Sequence, residues 1–225
     1  MKEMLHTHVL FDLDGTLVDT RAAVMECYRR VFRECLDAGF PPESIDAREL
    51  FAMRPREVFS VVAPGRAEEL YLAYHNTYPL CVKQIKVFAG VAELIGGLAL
   101  SGRKPSVVTN KGLERTLIDL SVAGIEPECF AAIVTAEDTV ERKPHPAPIL
   151  LGLKRAGAKP EESVYVGDGP QDVLAARACG MEAIAVSYGF YDREVLETYD
   201  PGALADSIED LGRILGLPVA RKAAS

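Results

Sequence analysis

The sequence lacks the features that mark membrane proteins, secreted proteins and nucleic-acid-binding proteins. Its 225 residues include no long uninterrupted apolar segment, and the N-terminus lacks the charged, apolar and small-residue pattern of a signal peptide. No block rich in Lys and Arg occurs, and acidic residues outnumber basic ones by 33 to 25, for a formal net charge of -8. We therefore expect a cytoplasmic protein that binds neither a membrane nor nucleic acid.

Cysteine is too scarce and too scattered for a disulfide framework or a zinc site. The five cysteines are odd in number and show no Cys-x-x-Cys spacing, which predicts buried free thiols. The remaining composition, 48% hydrophobic and 26% charged, is ordinary for a soluble globular protein. The length suffices for a sizeable core, built either as one large domain or as a domain with an insertion.

The first structured segment is predicted to be a buried parallel strand that ends in two acids. Val9 to Phe11 form a short apolar run, which stops at Asp12, Asp14 and Gly15. Because side chains alternate along an extended chain, both carboxylates are expected to project to the same side. Two facing carboxylates stay ionised only near a cation or a positive side chain. Gly15 allows the sharp turn that follows.

Residues 20–86 are predicted to be a helical insert between the first and second strands of the sheet. Apolar residues recur at steps of three and four from Thr20 to about Phe40, where Gly39 and two prolines are expected to end the helix. Further helices are predicted at about 46–53, 55–62 and 67–80. Strands and helices then alternate, so we assign 1–19 and 87–225 to the core domain.

Polar residues follow each later strand. Thr109 and Asn110 follow the strand 104–108 and precede a helix, where they are suited either to a phosphoryl oxygen or to capping that helix. Asp168 and Asp172 lie around the start of a helix that follows the strand 163–166, and both could approach one cation. These side chains are expected to gather at the carboxyl edge of one parallel sheet.

Four segments resemble, in order, the four motifs of the haloacid dehalogenase-like hydrolase superfamily, most of whose members are phosphatases. Residues 11–19 closely resemble the first motif, and residues 108–111 resemble the second in the form found in phosphoglycolate phosphatases and related pyrophosphatases. Residues 143–148 and 167–172 resemble the third and fourth, with Gly169 where relatives have Ser or Thr. The resemblance implies an α/β fold: a doubly wound parallel (Rossmann-like) sheet core with an inserted α-helical cap domain.

The resemblance also assigns roles to the acidic residues and to one lysine. It implies that Mg2+ is held by the Asp12 carboxylate, the Asp14 backbone carbonyl and Asp168, with Asp172 acting through water or by orienting Lys143. Asp12 would attack phosphorus to form an aspartyl-phosphate, and Asp14 would act as general acid and base. Lys143 would be the counter-charge to the acids and the bound phosphate.

The remaining assignments concern the substrate. The resemblance implies that Thr109 and Asn110 position the phosphoryl group, and that Arg54 and Arg56 contact the substrate from the cap, although both could equally be solvated arginines near a helix start. The expected substrate is a small-molecule phosphate ester similar to phosphoglycolate, and the sequence leaves phosphoglycolate, a sugar phosphate and pyrophosphate all open. A monomer and a homodimer both remain open.

Three alternative functions compete with the phosphatase. A β-phosphoglucomutase-like sugar-phosphate mutase would keep both acids of the first motif, whereas relatives that act on carbon–halogen or phosphonate bonds would lack Asp14. A receiver-type phospho-acceptor domain would use similar residues, but in a chain about half as long and without a helical insert. A binding protein on the same fold is the third alternative.

Overall fold

A computed structural model describes residues 6–41 and 53–217, and its centre is a six-stranded sheet. The strands of this sheet run parallel to one another in the order β5-β4-β1-β6-β7-β8. They are β1 (His8–Phe11), β4 (Lys104–Val108), β5 (Ile133–Val134), β6 (Ser163–Gly167), β7 (Glu182–Val186) and β8 (Ala203–Ala205).

The first strand lies at the middle of the sheet, which explains its unbroken apolar sequence. His8 pairs with Lys104 of β4 on one side and with Ser163 of β6 on the other. Val9 and Phe11 belong to the core on one face of the sheet and Leu10 to the core on the other. Because β1 is covered on both faces, the acids that follow it emerge at the centre of the carboxyl edge.

Helices cover both faces, so the core is a three-layer, doubly wound α/β fold as predicted. The helices that follow the insert are α4 (Val91–Leu100), α5 (Leu113–Val122), α6 (Ala147–Ala156), α7 (Pro170–Ala178), α8 (Arg193–Glu197) and α9 (Ile208–Ile214). Helices α4 and α9 pack on the face that contains Val9, whereas α6 and α7 pack on the opposite face. No helix within the described ranges is long and apolar enough to cross a membrane.

Three helices form the described part of the insert: α1 (Arg21–Leu36), α2 (Pro55–Val62) and α3 (Ala67–Thr77). Buried aromatic rings hold them together, with Tyr28 of α1 lying 5.6 Å from Phe59 and 4.7 Å from Tyr74 between ring centroids. An antiparallel ribbon of β2 (Val18–Asp19) and β3 (Lys86–Val87) joins the two ends of the insert. The ribbon lies at the predicted boundary, although the division into 1–19 with 87–225 and 20–86 stays a prediction.

Several boundaries differ from those predicted. Helix α1 ends at Leu36, before Gly39, because Asp37 adopts a left-handed conformation (φ 50°) from which its N–H reaches the Phe32 carbonyl. The sequence pattern also missed β8, α8 and the ribbon, which are too short for a periodic signal. The helix predicted at about 46–53 and the tail predicted to be disordered at 220–225 lie outside the described residues.

The cysteines are free, as predicted, but not uniformly buried. Cys27 and Cys81 are buried within the insert, where the thiol of Cys27 donates to the Tyr74 carbonyl at 3.3 Å. Cys129 is exposed, and Cys35 and Cys179 are partly so. The prediction that all five are buried was therefore wrong for Cys129, which lies in a short 3-10 turn at the surface.

Candidate active site

The carboxyl edge of the sheet brings the predicted core residues into one small cavity. A cavity of about 20 Å³ is lined by Asp12, Asp14, Thr109, Asn110, Lys143 and Asp168, together with Gln171, Phe190 and Tyr191. The first six follow β1, β4 and β6 or lie in the segment before α6, so four separate segments of the chain carry them to the same edge. The expectation that Asp12 and Asp14 face one site is confirmed.

Lys143 is the fixed positive charge of this cavity. Its ammonium group donates to Asp12 Oδ1 at 2.8 Å, to Asp172 Oδ1 at 2.7 Å and to the hydroxyl of Tyr165 at 2.7 Å. Burial disfavours the charged form, but the Asp12 and Asp172 carboxylates outweigh it and raise the pKa of Lys143. The lysine therefore stays protonated, with its three hydrogens directed at protein oxygens.

Three buried carboxylates surround this single ammonium. One oxygen from each of Asp12, Asp168 and Asp172 lies within 4.8 Å of the others. Burial raises the pKa of Asp12 to about 7 despite Lys143, and burial together with Asp12 and Asp172 raises the pKa of Asp168 well above its usual range. With all three acids ionised the cluster would hold more negative than positive charge, and a divalent cation with oxygen ligands would offset that excess.

Asp14 has a separate cationic partner. Lys111 Nζ lies 2.6 Å from Asp14 Oδ1, and the same oxygen accepts a hydrogen bond from Thr20 Oγ1. Lys111 also binds Asp119 and, at 2.9 Å, the hydroxyl of Tyr78. The two acids of the first motif are therefore held by two different lysines, which fixes their orientations independently.

Thr109 and Asn110 both lie at the carboxyl edge of the sheet, but their side chains make different kinds of hydrogen bond. The Thr109 hydroxyl oxygen accepts the Lys111 N–H at 3.2 Å, and its hydrogen has no acceptor among the residues that the structure describes. Asn110 Oδ1 accepts the Lys143 N–H at 3.1 Å, while Nδ2 donates to the Lys143 carbonyl at 3.3 Å. Asn110 thus holds the backbone of Lys143 in place.

Gly15 allows the close approach on which the acidic cluster depends. It has a φ of +77°, and a Cβ there would lie 2.0 Å from Asp168 Oδ2. A side chain at this position would displace Asp168, which is otherwise held by the Phe190 N–H at 2.6 Å. The sharp turn predicted at this glycine is confirmed, and it also leaves space for an acid from a distant strand.

The structure does not bring Arg54 or Arg56 to the cavity wall. Arg54 donates to the carbonyls of Val140, Thr139 and Glu141, and thereby joins α2 to the segment that leads to Lys143. Arg56 binds Glu68 at 2.9 Å and stacks on Tyr71, both within the insert. Their contact with a substrate stays a prediction.

Four residues of the site were missed from the sequence: Tyr78, Lys111, Asp119 and Tyr165. Tyr165 carries a hydroxyl on an otherwise apolar buried strand and donates to the Val108 carbonyl at 2.7 Å. Asp119 is fully buried on α5. Both Tyr165 and Asp119 occupy positions that the hydrophobic periodicity assigns to the core. A polar side chain at such a position requires a hydrogen-bond partner, and this was the signal available in the sequence.

The profile of the family described as haloacid dehalogenase-like hydrolase matches residues 9–186, and the chain belongs to this family. The matched range contains Asp12, Asp14, Thr109, Asn110, Lys143 and Asp168 of the cavity. The chain is therefore a hydrolase of phosphate esters, and the phosphatase class predicted from the four motifs is confirmed.

Individual relatives agree with this class. The chain is 31% identical over 222 residues to pyrophosphatase PpaX of Bacillus pumilus, covering 96% of this chain and 99% of the relative. It is 26% identical to CbbY of Rhodobacter sphaeroides, solved in complex with phosphate, with a TM-score of 0.80 over 92% of this chain and 96% of that one. A predicted phosphoglycolate phosphatase from Haemophilus somnus has the same fold, with 20% identity, a TM-score of 0.75, and coverage of 95% and 99%.

Proposed function

We propose that this phosphatase is magnesium-dependent and hydrolyses a small phosphorylated metabolite, such as phosphoglycolate, through an aspartyl-phosphate on Asp12. The observation that carries the proposal is the 2.8 Å contact between the Lys143 ammonium and one oxygen of Asp12, at the edge of a cavity that also contains Asp14. The contact holds the carboxylate in one orientation and leaves its second oxygen for attack.

The first step is attack of an Asp12 oxygen on phosphorus. An oxygen–phosphorus bond forms while the bond from phosphorus to the leaving oxygen breaks. The Thr109 hydroxyl donates to a phosphoryl oxygen, since its hydrogen has no acceptor among the described residues. Positioning and charge supply most of the catalysis in such a transfer, and a buried, pre-oriented carboxylate provides both.

Asp14 moves the proton in both steps. It protonates the leaving oxygen as the first bond breaks, and then removes a proton from the water that attacks the aspartyl-phosphate. Lys111 and Thr20 both bind Asp14 Oδ1, so the other oxygen is available for this exchange. Hydrolysis returns Asp12 as a carboxylate and releases inorganic phosphate.

The acidic cluster fits a magnesium ion. Asp12, Asp168 and the Asp14 carbonyl would hold it, and Asp172 would continue to orient Lys143, which it contacts at 2.7 Å. When bound, the cation supplies positive charge that offsets the repulsion between the acids and the phosphate.

We assign residues 20–86 to a cap that covers this site and excludes water from it. The support is the set of contacts from the insert to the core, including Arg54 to the carbonyls of 139–141 and Arg142 to Glu57 at 2.7 Å. We further propose that the protein acts in the cytoplasm on free metabolites, as a monomer or a homodimer.

The test is phosphate release from a panel of small phosphate esters, with and without Mg2+. We expect magnesium-dependent release that is abolished in Asp12→Asn and retained in the matched variant Asp206→Asn, an exposed acid paired with Arg193. Acid quenching should trap phosphate on the wild-type chain but not on Asp12→Asn. Interconversion of a sugar phosphate without net release would instead support the mutase.

A further inference from the structure

A second cavity adjoins the first on the far side of Asp14. It has a volume of about 50 Å³ and lies between the helical insert and the core. The two cavities share Asp14, Asn110 and Phe190. On the proposed mechanism Asp14 protonates the leaving oxygen, so this second cavity lies where the rest of the leaving group extends.

The second cavity contains a buried cation without an acceptor. Arg115, on α5, is only 5% exposed and lines the cavity wall. Within residues 6–41 and 53–217, no carboxylate or carbonyl lies within hydrogen-bond distance of its guanidinium. Its contacts are the ring faces of Tyr74 at 5.2 Å and Tyr78 at 5.8 Å.

The acids near α5 place negative charge close to Arg115, but their hydrogen bonds and ion pairs within the described residues go to other groups. Asp119 receives Lys111 and the Tyr78 hydroxyl. Glu137 accepts the Leu113 N–H and the Thr135 hydroxyl, both at 2.9 Å. Lys111, the other cation of the cavity wall, is paired with both Asp14 and Asp119, so it does not compete for a further anion.

A guanidinium always carries its charge, and burying it without an acceptor is unfavourable. Stacking on two tyrosines offsets only part of that cost. An arginine in this state at a cavity wall is suited to an external anion, which it can bind through two parallel hydrogen bonds. The small volume limits the ligand to a compact group, since one water alone needs about 10–15 Å³.

We propose that Arg115 binds an anionic group on the leaving-group side of the substrate, so that the enzyme prefers small phosphate compounds with a second phosphate or a carboxylate. The proposal rests on the proposed function, because it places the transferred phosphoryl group at Asp12 and the leaving oxygen at Asp14. Pyrophosphate has a second phosphate in this position, and 2-phosphoglycolate has a carboxylate.

The kinetic test compares substrates that differ only in the second charge. Values of kcat and KM are measured for pyrophosphate, 2-phosphoglycolate and 2-hydroxyethyl phosphate, the last of which replaces the carboxylate by an alcohol. We expect Arg115→Met to lower kcat/KM for the preferred anionic substrate by about 10- to 100-fold more than for 2-hydroxyethyl phosphate. The loss should appear in KM, and Arg115→Lys should recover part of it.

Binding to an inactive enzyme separates this proposal from the phosphatase mechanism. In the Asp12→Asn background, calorimetry with pyrophosphate and 2-phosphoglycolate should show weaker binding when Arg115→Met is added, with little change for 2-hydroxyethyl phosphate. Whichever anion loses more affinity identifies the second group as phosphate or carboxylate. This comparison holds even if no ester is turned over.

Protein stability supplies the remaining control. Because Arg115→Met removes a buried charge that has no hydrogen-bond acceptor within the described residues, its thermal midpoint should equal or exceed that of the wild type. Arg30→Met, at a partly exposed arginine paired with Glu26, should leave binding unchanged. Equal losses on charged and neutral substrates, or a marked fall in the midpoint, would show a structural role and overturn the proposal. Failure of the Asp12 and magnesium tests alone would overturn only the mechanism.

Discussion

The Lys143 ammonium lies 2.8 Å from the Asp12 carboxylate, and this contact joins residues 131 positions apart in the sequence. Its other two hydrogens are directed at Asp172 and Tyr165. Because none of the three is left for another acceptor, Lys143 orients the acid on which the proposed chemistry depends and neutralises part of its charge. The three bonds thus hold the Lys143 ammonium in one position beside Asp12.

Replacing Lys143 by Met should impair both activity and folding. Removing one partner of a buried ionic cluster leaves Asp12 and Asp172 uncompensated, which typically costs about 3–5 kcal/mol. Loss of the oriented charge should reduce kcat by about 10²-fold or more. Steady-state kinetics and urea unfolding measure the two effects, with the exposed Lys154→Met as the control. Turnover within tenfold of the wild type would contradict this role for Lys143.

Replacing Tyr165 by Phe tests the third partner of Lys143 without changing any formal charge. The substitution removes an acceptor for the buried ammonium and a donor to the Val108 carbonyl, each at 2.7 Å. We expect the free energy of unfolding to fall by about 1–3 kcal/mol, measured by urea titration. Tyr199→Phe is the control, since that hydroxyl has no hydrogen bond within the described part of the chain. Equal effects of the two substitutions would count against the lysine network.

Comparing Gly15 with Gly102 separates two effects of a substitution: a clash of the new side chain with Asp168, and the strain of a left-handed backbone. Both have a φ of +77°, but a Cβ at Gly15 would meet Asp168 Oδ2 at 2.0 Å, whereas one at Gly102 would enter open space. Gly102→Ala should therefore cost only the left-handed strain of about 1–2 kcal/mol and keep full activity. Gly15→Ala should lose activity as well, because Asp168 is displaced. Similar kinetics for both variants would show that Asp168 tolerates the shift.

Magnesium binding should distinguish a side-chain ligand from a backbone ligand. Asp168→Asn removes a carboxylate of the cluster, so calorimetric titration should show at least about tenfold weaker Mg2+ binding. Asp14→Asn should keep most of the affinity, since its proposed ligand is the backbone carbonyl, while losing turnover. An Asp14→Asn protein that binds Mg2+ as poorly as Asp168→Asn would place the Asp14 carboxylate itself in the ligand set.

Much of the core site could be predicted because its signals are local. The apolar run before Asp12, the alternation that turns Asp14 to the same side and the glycine that follows all lie within a few residues. Thr109 and Asp168 likewise follow directly after the short apolar strands β4 and β6. Parallel strands expose their carboxyl ends at one edge, so these residues had to converge once the strands were recognised.

The partners of these residues depend on packing between elements distant in the chain. Whether Arg54 contacts a substrate or the carbonyls of 139–141 is decided by how the insert lies on the core. The periodicity of α5 indicates an amphipathic helix, but not that Asp119 receives Lys111 or that Arg115 faces a cavity without an acceptor.

The amino-acid sequence by itself therefore determined the fold class, the order of the longer strands and helices along the chain, and the residues at the carboxyl edge. Only the tertiary structure decided which lysine holds which acid, where the insert contacts the core and which buried cation lacks an acceptor among the described residues. The physical reason is range: alternation and helical periodicity act over a few residues, whereas burial and charge pairing depend on every element packed nearby.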